Sequence, residues 1–234
     1  MKKVENSPFD PFVKWFFPKL LPYLPEWLNA NRITVIGFAG SIAAAICLFL
    51  SKDREWLCLL GAFGIWLHWF ADTLDGVVAR AGKPSILGYY LDHFSDAVSV
   101  AIISIGIFLT PGSHLLIGLC AACIYLLLFI HGLIKAELTG TMELPYFGPT
   151  EIHFSIITIL LIQYKVRFGE AIMQTSPISG TDGWLAQNFG LNGGLTLIDH
   201  LGLLITVVMF FMLLIESYIF IKQLSSQDDI PPDA

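Results

Sequence analysis

Charged side chains are scarce in this sequence. Aspartate, glutamate, lysine and arginine together make up 14% of its 234 residues, against about 25% in a typical soluble domain. Hydrophobic residues make up 55%, too many for a soluble chain to hide. The chain therefore reads as an integral membrane protein, in line with a mean hydropathy of +0.69. Positive charge is the scarcer sign, 13 residues against 19 acids, which argues against nucleic acid as a partner. Cysteine is scarce too. Cys47, Cys58, Cys120 and Cys123 all fall inside apolar runs. The C-x-x-C at 120 and 123 has no second pair and no polar setting, so it reads as small apolar residues on one helix. The first residues are not expected to act as a secretory leader: Met1-Lys2-Lys3 is basic, but Glu5, Asp10 and several prolines interrupt the apolar core that a leader needs. There is no internal repeat and no sign of a second domain.

What the chain does have is six apolar runs, at residues 33–50, 56–71, 87–109, 115–134, 152–166 and 197–221. Most approach the ~20 residues that carry a helix across a bilayer; the fifth is short and is expected to begin within Pro149-Thr150-Glu151. Residues 8–28 alternate Phe12, Trp15, Phe16, Leu20, Leu21 and Trp27 with Lys14, Lys19 and prolines, the pattern of a helix lying in the membrane interface. The fold class is all-α: six transmembrane helices preceded by an N-terminal interfacial helix. One membrane domain is expected over 1–234, with an interfacial arm at 1–30, a six-helix bundle at 31–222 and a flexible acidic tail at 223–234. With the N-terminus inside, nine basic residues face the cytoplasm and four face out. The expectation is both termini cytoplasmic, with 81–85 and 137–148 inside and 167–196 outside. Six helices without a transit peptide suit a bacterial inner membrane.

Against this background one cluster of acids stands out. It reads Asp72-Thr73-Leu74-Asp75-Gly76-Val77-Val78-Ala79-Arg80 and, seven residues on, Gly88-Tyr89-Tyr90-Leu91-Asp92-His93-Phe94-Ser95-Asp96. Ionisable groups in membrane-spanning runs are costly and default to a functional reading. Spacings of three and four residues put Asp72 with Asp75, and Asp92 with Asp96, on one face of a helix each. A turn at 82–84 would bring the two pairs together. Four carboxylates in one place repel one another unless divalent cations hold them ionised. Carboxylate and water suit Mg²⁺ or Mn²⁺, and two ions would fit such a set. Small residues at Gly76, Ala79 and Gly88 let a ligand approach the backbone. The chemistry fits a diphosphate: metal offsets its charge while a spare carboxylate takes a proton from an attacking hydroxyl.

The pattern D-x-x-D-G-x-x-A-R followed by G-x-x-x-D-x-x-x-D resembles the signature of the CDP-alcohol phosphotransferases at every fixed position. Ala30-Asn31-Arg32-Ile33-Thr34 is similar to that family's lead-in to its first helix, with Ala30 in place of proline. The resemblance implies a six-helix membrane enzyme. It would cleave a CDP-alcohol, pass the substituted phosphate to an acceptor hydroxyl and release CMP. It makes Asp72, Asp75, Asp92 and Asp96 metal ligands, with Asp96 also a general base. Gly76, Ala79 and Gly88 would frame the nucleotide, Arg80 would serve as a phosphate or structural partner, and Asn31 would belong to the same nucleotide-facing set. Membrane lipids are the other partners, and relatives commonly form a homodimer.

His93 resembles the D-H-x-x-D of the choline/ethanolamine phosphotransferase branch, and Gly148-Pro149-Thr150-Glu151 resembles its T-E segment. These two details favour CDP-ethanolamine or CDP-choline as donor and diacylglycerol as acceptor. The alternative is phosphatidyl transfer from CDP-diacylglycerol to a small polar alcohol. A His93–Glu151 pair would make the imidazole a base for a weakly acidic hydroxyl. His93 could equally orient Asp92, and Glu151 could be a first-turn carboxylate behind an N-cap at Thr150. The base therefore stays divided between His93 and Asp96. Trp66, His68 and Trp69 read as packing or interface residues, and Lys135 as a snorkelling side chain. A cation transporter is the distant rival; it would stagger its acids through the membrane depth, whereas these lie at one end of two helices.

Overall fold

The computed structural model describes residues 2–4, 8–82, 84–110, 113–143, 149–168 and 197–228. Short helix α1, Asp10–Phe16, opens with proline in its first turn and runs into a 3₁₀ turn at Phe17–Tyr23. Phe17 is wholly buried and packs edge-on against Trp69. Tyr23, Trp15 and Trp27 stay exposed, and Lys19 Nζ lies 3.7 Å above the Trp15 ring. Amphipathic aromatics with basic residues among them are what an interfacial arm carries.

Among the described residues six longer helices follow: α2 Ala30–Leu50, α3 Leu57–Ala81, α4 Ile86–Phe108, α5 Leu115–Thr139, α6 Pro149–Phe168 and α7 Leu197–Asp228. Their ends follow local rules. The Asn29 side chain accepts the Arg32 amide at 3.1 Å to cap α2, and Ser85 accepts the Gly88 amide at 2.9 Å to cap α4. Gly140, with φ of 71°, closes α5 in the left-handed conformation. Residues 2–4 and 141–143 form a three-residue parallel strand pair, Lys2 opposite Thr141; the rest of the described fold is helical.

Five of these helices are long and apolar enough to cross a membrane: α2, α3, α4, α5 and the 199–225 stretch of α7. The sixth expected span lies in α6, whose apolar stretch Thr150–Ile162 is shorter. By length and composition five of the described helices qualify as spans; polar and basic residues dilute both ends of α6. The last helix continues to Asp228, past the bundle's expected end at residue 222. The expected outer segment 167–196 lies almost wholly outside the described residues, as do 229–234.

Helix α2 organises the bundle by packing along both α3 and α4, which touch each other only sparingly. Small residues make the approach possible. A Cβ at Gly64 would fall 2.8 Å from the Gly40 carbonyl oxygen, one at Gly37 2.8 Å from Ala71 Cβ, and one at Gly106 2.8 Å from Ala45 Cα. Between α2 and α4 the fully buried hydroxyls of Ser41 and Ser99 meet at 3.0 Å. At the far end, wholly buried Asp199 on α7 accepts from the His114 amide and lies against His114 Nδ1, both at 2.8 Å, which fixes α7 to the start of α5.

Candidate functional site

The motif aspartates lie on the last three turns of α3 and the first three of α4, on either side of the short connection between the two helices. Asp72, Asp92 and Asp96 converge: one carboxylate oxygen from each lies within 4.8 Å of the others, and all three side chains are half-buried. Asp75 stands behind them, 3% exposed and in electrostatic range of Asp72 and Asp92. Its Oδ2 accepts a hydrogen bond from the Thr34 hydroxyl on α2, while its Oδ1 is enclosed with no hydrogen-bond partner. A buried carboxylate oxygen without a donor carries an unmet desolvation penalty. Three convergent hard oxygens and one orphaned oxygen fit a divalent cation such as Mg²⁺ or Mn²⁺.

His93 lies beside this set. Its Nδ1 is 3.1 Å from the Tyr89 carbonyl and 3.3 Å from Asp92 Oδ2. Both neighbours only accept, so Nδ1 carries the proton and Nε2 keeps the lone pair. Nε2 is buried and has no partner. The ring is held between Tyr89, at 4.2 Å, and Phe129 of α5, at 6.2 Å.

The other expected residues fall in two groups. Asn31, in the first turn of α2, reaches the start of α4, where a Cβ at Gly88 would sit 2.9 Å from Asn31 Oδ1. Arg80 folds back over Gly76, whose Cβ would meet its guanidinium at 3.3 Å; no ion pair holds Arg80 among the described residues. Ala79, half-buried, lies one turn beyond Asp75. Glu151, by contrast, is buried in the first turn of α6, and α6 packs on α3. It is not bonded to the His93 imidazole, which Tyr89 and Asp92 orient instead. Nor is the Thr150 hydroxyl simply a cap: it accepts the Trp69 indole N–H at 3.2 Å.

Two contributors had no role assigned from sequence, and a third was read only as a packing or interface residue. Thr34 was noted only as part of the lead-in, and its partner is 41 positions away. Tyr125, alone among the apolar residues of α5, has its phenol in electrostatic range of Asp96 and Asp72; its polarity in that run was the available signal. His68, one turn before Asp72, is 4% exposed with Nδ1 unpartnered, and its ring is 5.5 Å from that of His153 on α6. Lys135 does not merely snorkel; its Nζ is 3.5 Å from Glu216 on α7.

A family model described as CDP-alcohol phosphatidyltransferase matches residues 27–191. The chain belongs to that family. The match covers the Asn31 lead-in, all four motif aspartates, His93 and Glu151. Within this metal-dependent family, the resemblance runs to the cholinephosphotransferases. Cholinephosphotransferase 1 of Mus musculus is 26% identical over 203 residues, which cover 82% of this chain and 50% of the mouse protein. Cholinephosphotransferase 1 of Danio rerio is 24% identical over 252 residues, covering 92% and 66%. An uncharacterized CDP-alcohol phosphatidyltransferase class-I family protein of Dictyostelium discoideum is 30% identical over 158 residues, covering 62% and 39%. The chain spans about half the length of the mouse relative and no more than two thirds of either of the others.

Proposed function

We propose that this protein transfers phosphocholine or phosphoethanolamine from the CDP ester to the free hydroxyl of diacylglycerol and releases CMP. The observation that carries the reading is the unpartnered Nε2 of His93 beside the convergent oxygens of Asp72, Asp92 and Asp96. Similarity to cholinephosphotransferases supports the choice of donor and acceptor.

Asp72, Asp75, Asp92 and Asp96 would hold Mg²⁺ or Mn²⁺, in all two ions. A bound divalent cation offsets the diphosphate charge and eases departure of CMP. The residues of the chain do the rest. Gly76, Ala79 and Gly88 leave room for the nucleotide against the helix backbones, with Asn31 and Arg80 as polar contacts. His93 Nε2 takes the proton of the diacylglycerol hydroxyl, and Asp92 at Nδ1 stabilises the resulting imidazolium. The freed oxygen attacks the phosphorus that bears the amino alcohol. A new P–O bond forms as the P–O bond to CMP breaks, and CMP leaves with the electron pair. His93 then returns its proton to water or to CMP. Asp96 acts chiefly as a ligand, and Glu151 works from the α6 side of the site. The count of nine basic residues against four supports a cytoplasmic site, in the setting of a bacterial inner membrane.

The test is CMP release by purified protein given diacylglycerol with CDP-ethanolamine or CDP-choline, and separately CDP-diacylglycerol with small alcohols. We expect transfer in the first set, loss on chelation with EDTA and recovery with Mg²⁺ or Mn²⁺. Asp75→Asn should lower the rate about 100-fold or more. Product in the second set alone would replace this reading with phosphatidyl transfer, and full CMP release by Asp75→Asn would remove the aspartates from the mechanism.

A further inference from the structure

Helix α4 carries more than its two aspartates toward the reaction site. Tyr89, Asp92, His93 and Asp96 follow the i, i+3, i+4, i+7 spacing and so share one face of the helix. Tyr89 stands at the outer end of that face, in the first turn of α4. Its ring lies 4.2 Å from the His93 ring, tilted by 34°, yet the residue is 49% exposed. A half-exposed aromatic ring therefore borders the imidazole that takes the acceptor proton. Tyr90 and Phe94 also stack, at 5.6 Å, but one position further round the helix, on the neighbouring face.

The reacting phosphorus fixes where the head group lies. An acceptor hydroxyl bonded to His93 Nε2 is ~3 Å from that nitrogen and ~3–3.5 Å from the phosphorus that it attacks. The amino alcohol hangs from the same phosphorus through P–O–C–C–N, ~5 Å when extended, and the Tyr89 ring is within the sweep of that chain. Both carboxylates on this face, Asp92 and Asp96, converge on the divalent-cation site. What the face adds for a positive head group is a π system, which attracts a cation within ~6 Å of the ring centroid. The attraction favours a quaternary ammonium over a primary one. Trimethylammonium is weakly hydrated, whereas a primary ammonium gives up hydrogen bonds to water when it settles on a ring.

We infer that Tyr89 sets the choice of donor: its ring receives the trimethylammonium of CDP-choline and gives this protein a preference for choline over ethanolamine. The inference rests on the donor and acceptor reading given under Proposed function and narrows it to one of the two amino alcohols. The contact runs from ring face to cation, so the phenol hydroxyl is dispensable and another large aromatic side chain can serve. Tyr89 gives the primary ammonium of CDP-ethanolamine no ion pair in exchange for its water, and that donor is held by its phosphates and nucleotide.

The experiment is a competition assay in which the purified protein, with diacylglycerol and Mg²⁺, is given CDP-choline and CDP-ethanolamine together. The two products report the ratio of kcat/KM for choline over ethanolamine. The parent should favour CDP-choline. Tyr89→Leu should lower the ratio about tenfold, within the usual worth of a cation–π contact, while Tyr89→Phe and Tyr89→Trp should keep it. Tyr90→Leu, on the neighbouring face, should leave it unchanged. Damage to the His93 setting alone would slow both donors alike and leave the ratio where it was. A ratio unmoved by Tyr89→Leu, or lost equally in Tyr89→Phe, therefore overturns the inference, as does a parent that favours CDP-ethanolamine. Each of these results leaves transfer to diacylglycerol standing. A parent active only with CDP-diacylglycerol and small alcohols overturns both readings.

Discussion

His93 and Glu151 entered as a pair and part company in the fold. The imidazole takes its orientation from its own helix, through the Tyr89 carbonyl and Asp92, while Glu151 belongs to α6. Their substitutions should therefore differ. His93→Gln should lower kcat by a factor of about 10²–10⁴, the usual range for a lost general base, with binding of the CDP-alcohol little changed. Glu151→Gln should cost about tenfold or less. Single-turnover kinetics with equilibrium binding of the nucleotide separates the two cases; equal losses in kcat would mean that Glu151 acts on the proton directly. At this scale the spacing of the aspartates was legible because three and four residues along a helix fix a shared face. Thr34 on Asp75 and Tyr125 beside Asp96 were not, since neither contact lies within one helix and nothing local announces a partner tens of residues away.

Among elements, the glycines matter more than the hydrophobic runs. The motif alone implies that α3 and α4 face each other across a short turn. In the fold α2 lies along both, and the two acidic helices meet mainly at the site. Gly37, Gly40, Gly61 and Gly64 were visible in the sequence, but glycine reports only that something comes close, and the identity of that neighbour is a matter of three dimensions. Gly64→Val tests the arrangement, because the Gly40 carbonyl and Ala44 occupy the space that its side chain needs. Overpacking of this kind typically costs about 1–3 kcal/mol and occasionally more. A lowered thermal midpoint in detergent, with loss of CMP release, is the expected result. An unchanged midpoint would show that α2 and α3 separate freely.

For the whole molecule, composition was enough to assign a helical membrane protein, since so apolar a chain has few other ways to satisfy its backbone. The number of spans was less legible: α6 is short in apolar residues and is held by its packing on α3 rather than by length. The N-terminal arm was legible as a pattern of aromatic and basic residues, yet its attachment was not. Phe17 buries its whole side chain against Trp69 and Phe70, and Phe9 stacks on Phe154 of α6 at 5.2 Å, so the arm joins α3 to α6. Phe17→Ala should destabilise the protein by about 3–5 kcal/mol, read as a fall in thermal midpoint. A change below about 1 kcal/mol would mean that the arm is held by lipid alone.

The position of Trp69 has an optical consequence. Its indole lies at the seam of three elements, edge-on to Phe17 of the arm, against Phe154 of α6 and hydrogen-bonded to Thr150. It is 5% exposed, whereas Trp15, Trp27, Trp56 and Trp66 are at least 36% exposed. In a variant that keeps this tryptophan and replaces the rest with phenylalanine, emission reports one event: lifting of the arm from the bundle lets water reach the ring and shifts its fluorescence to the red. The residue that holds the arm in place is thus also a built-in gauge of whether the arm is seated.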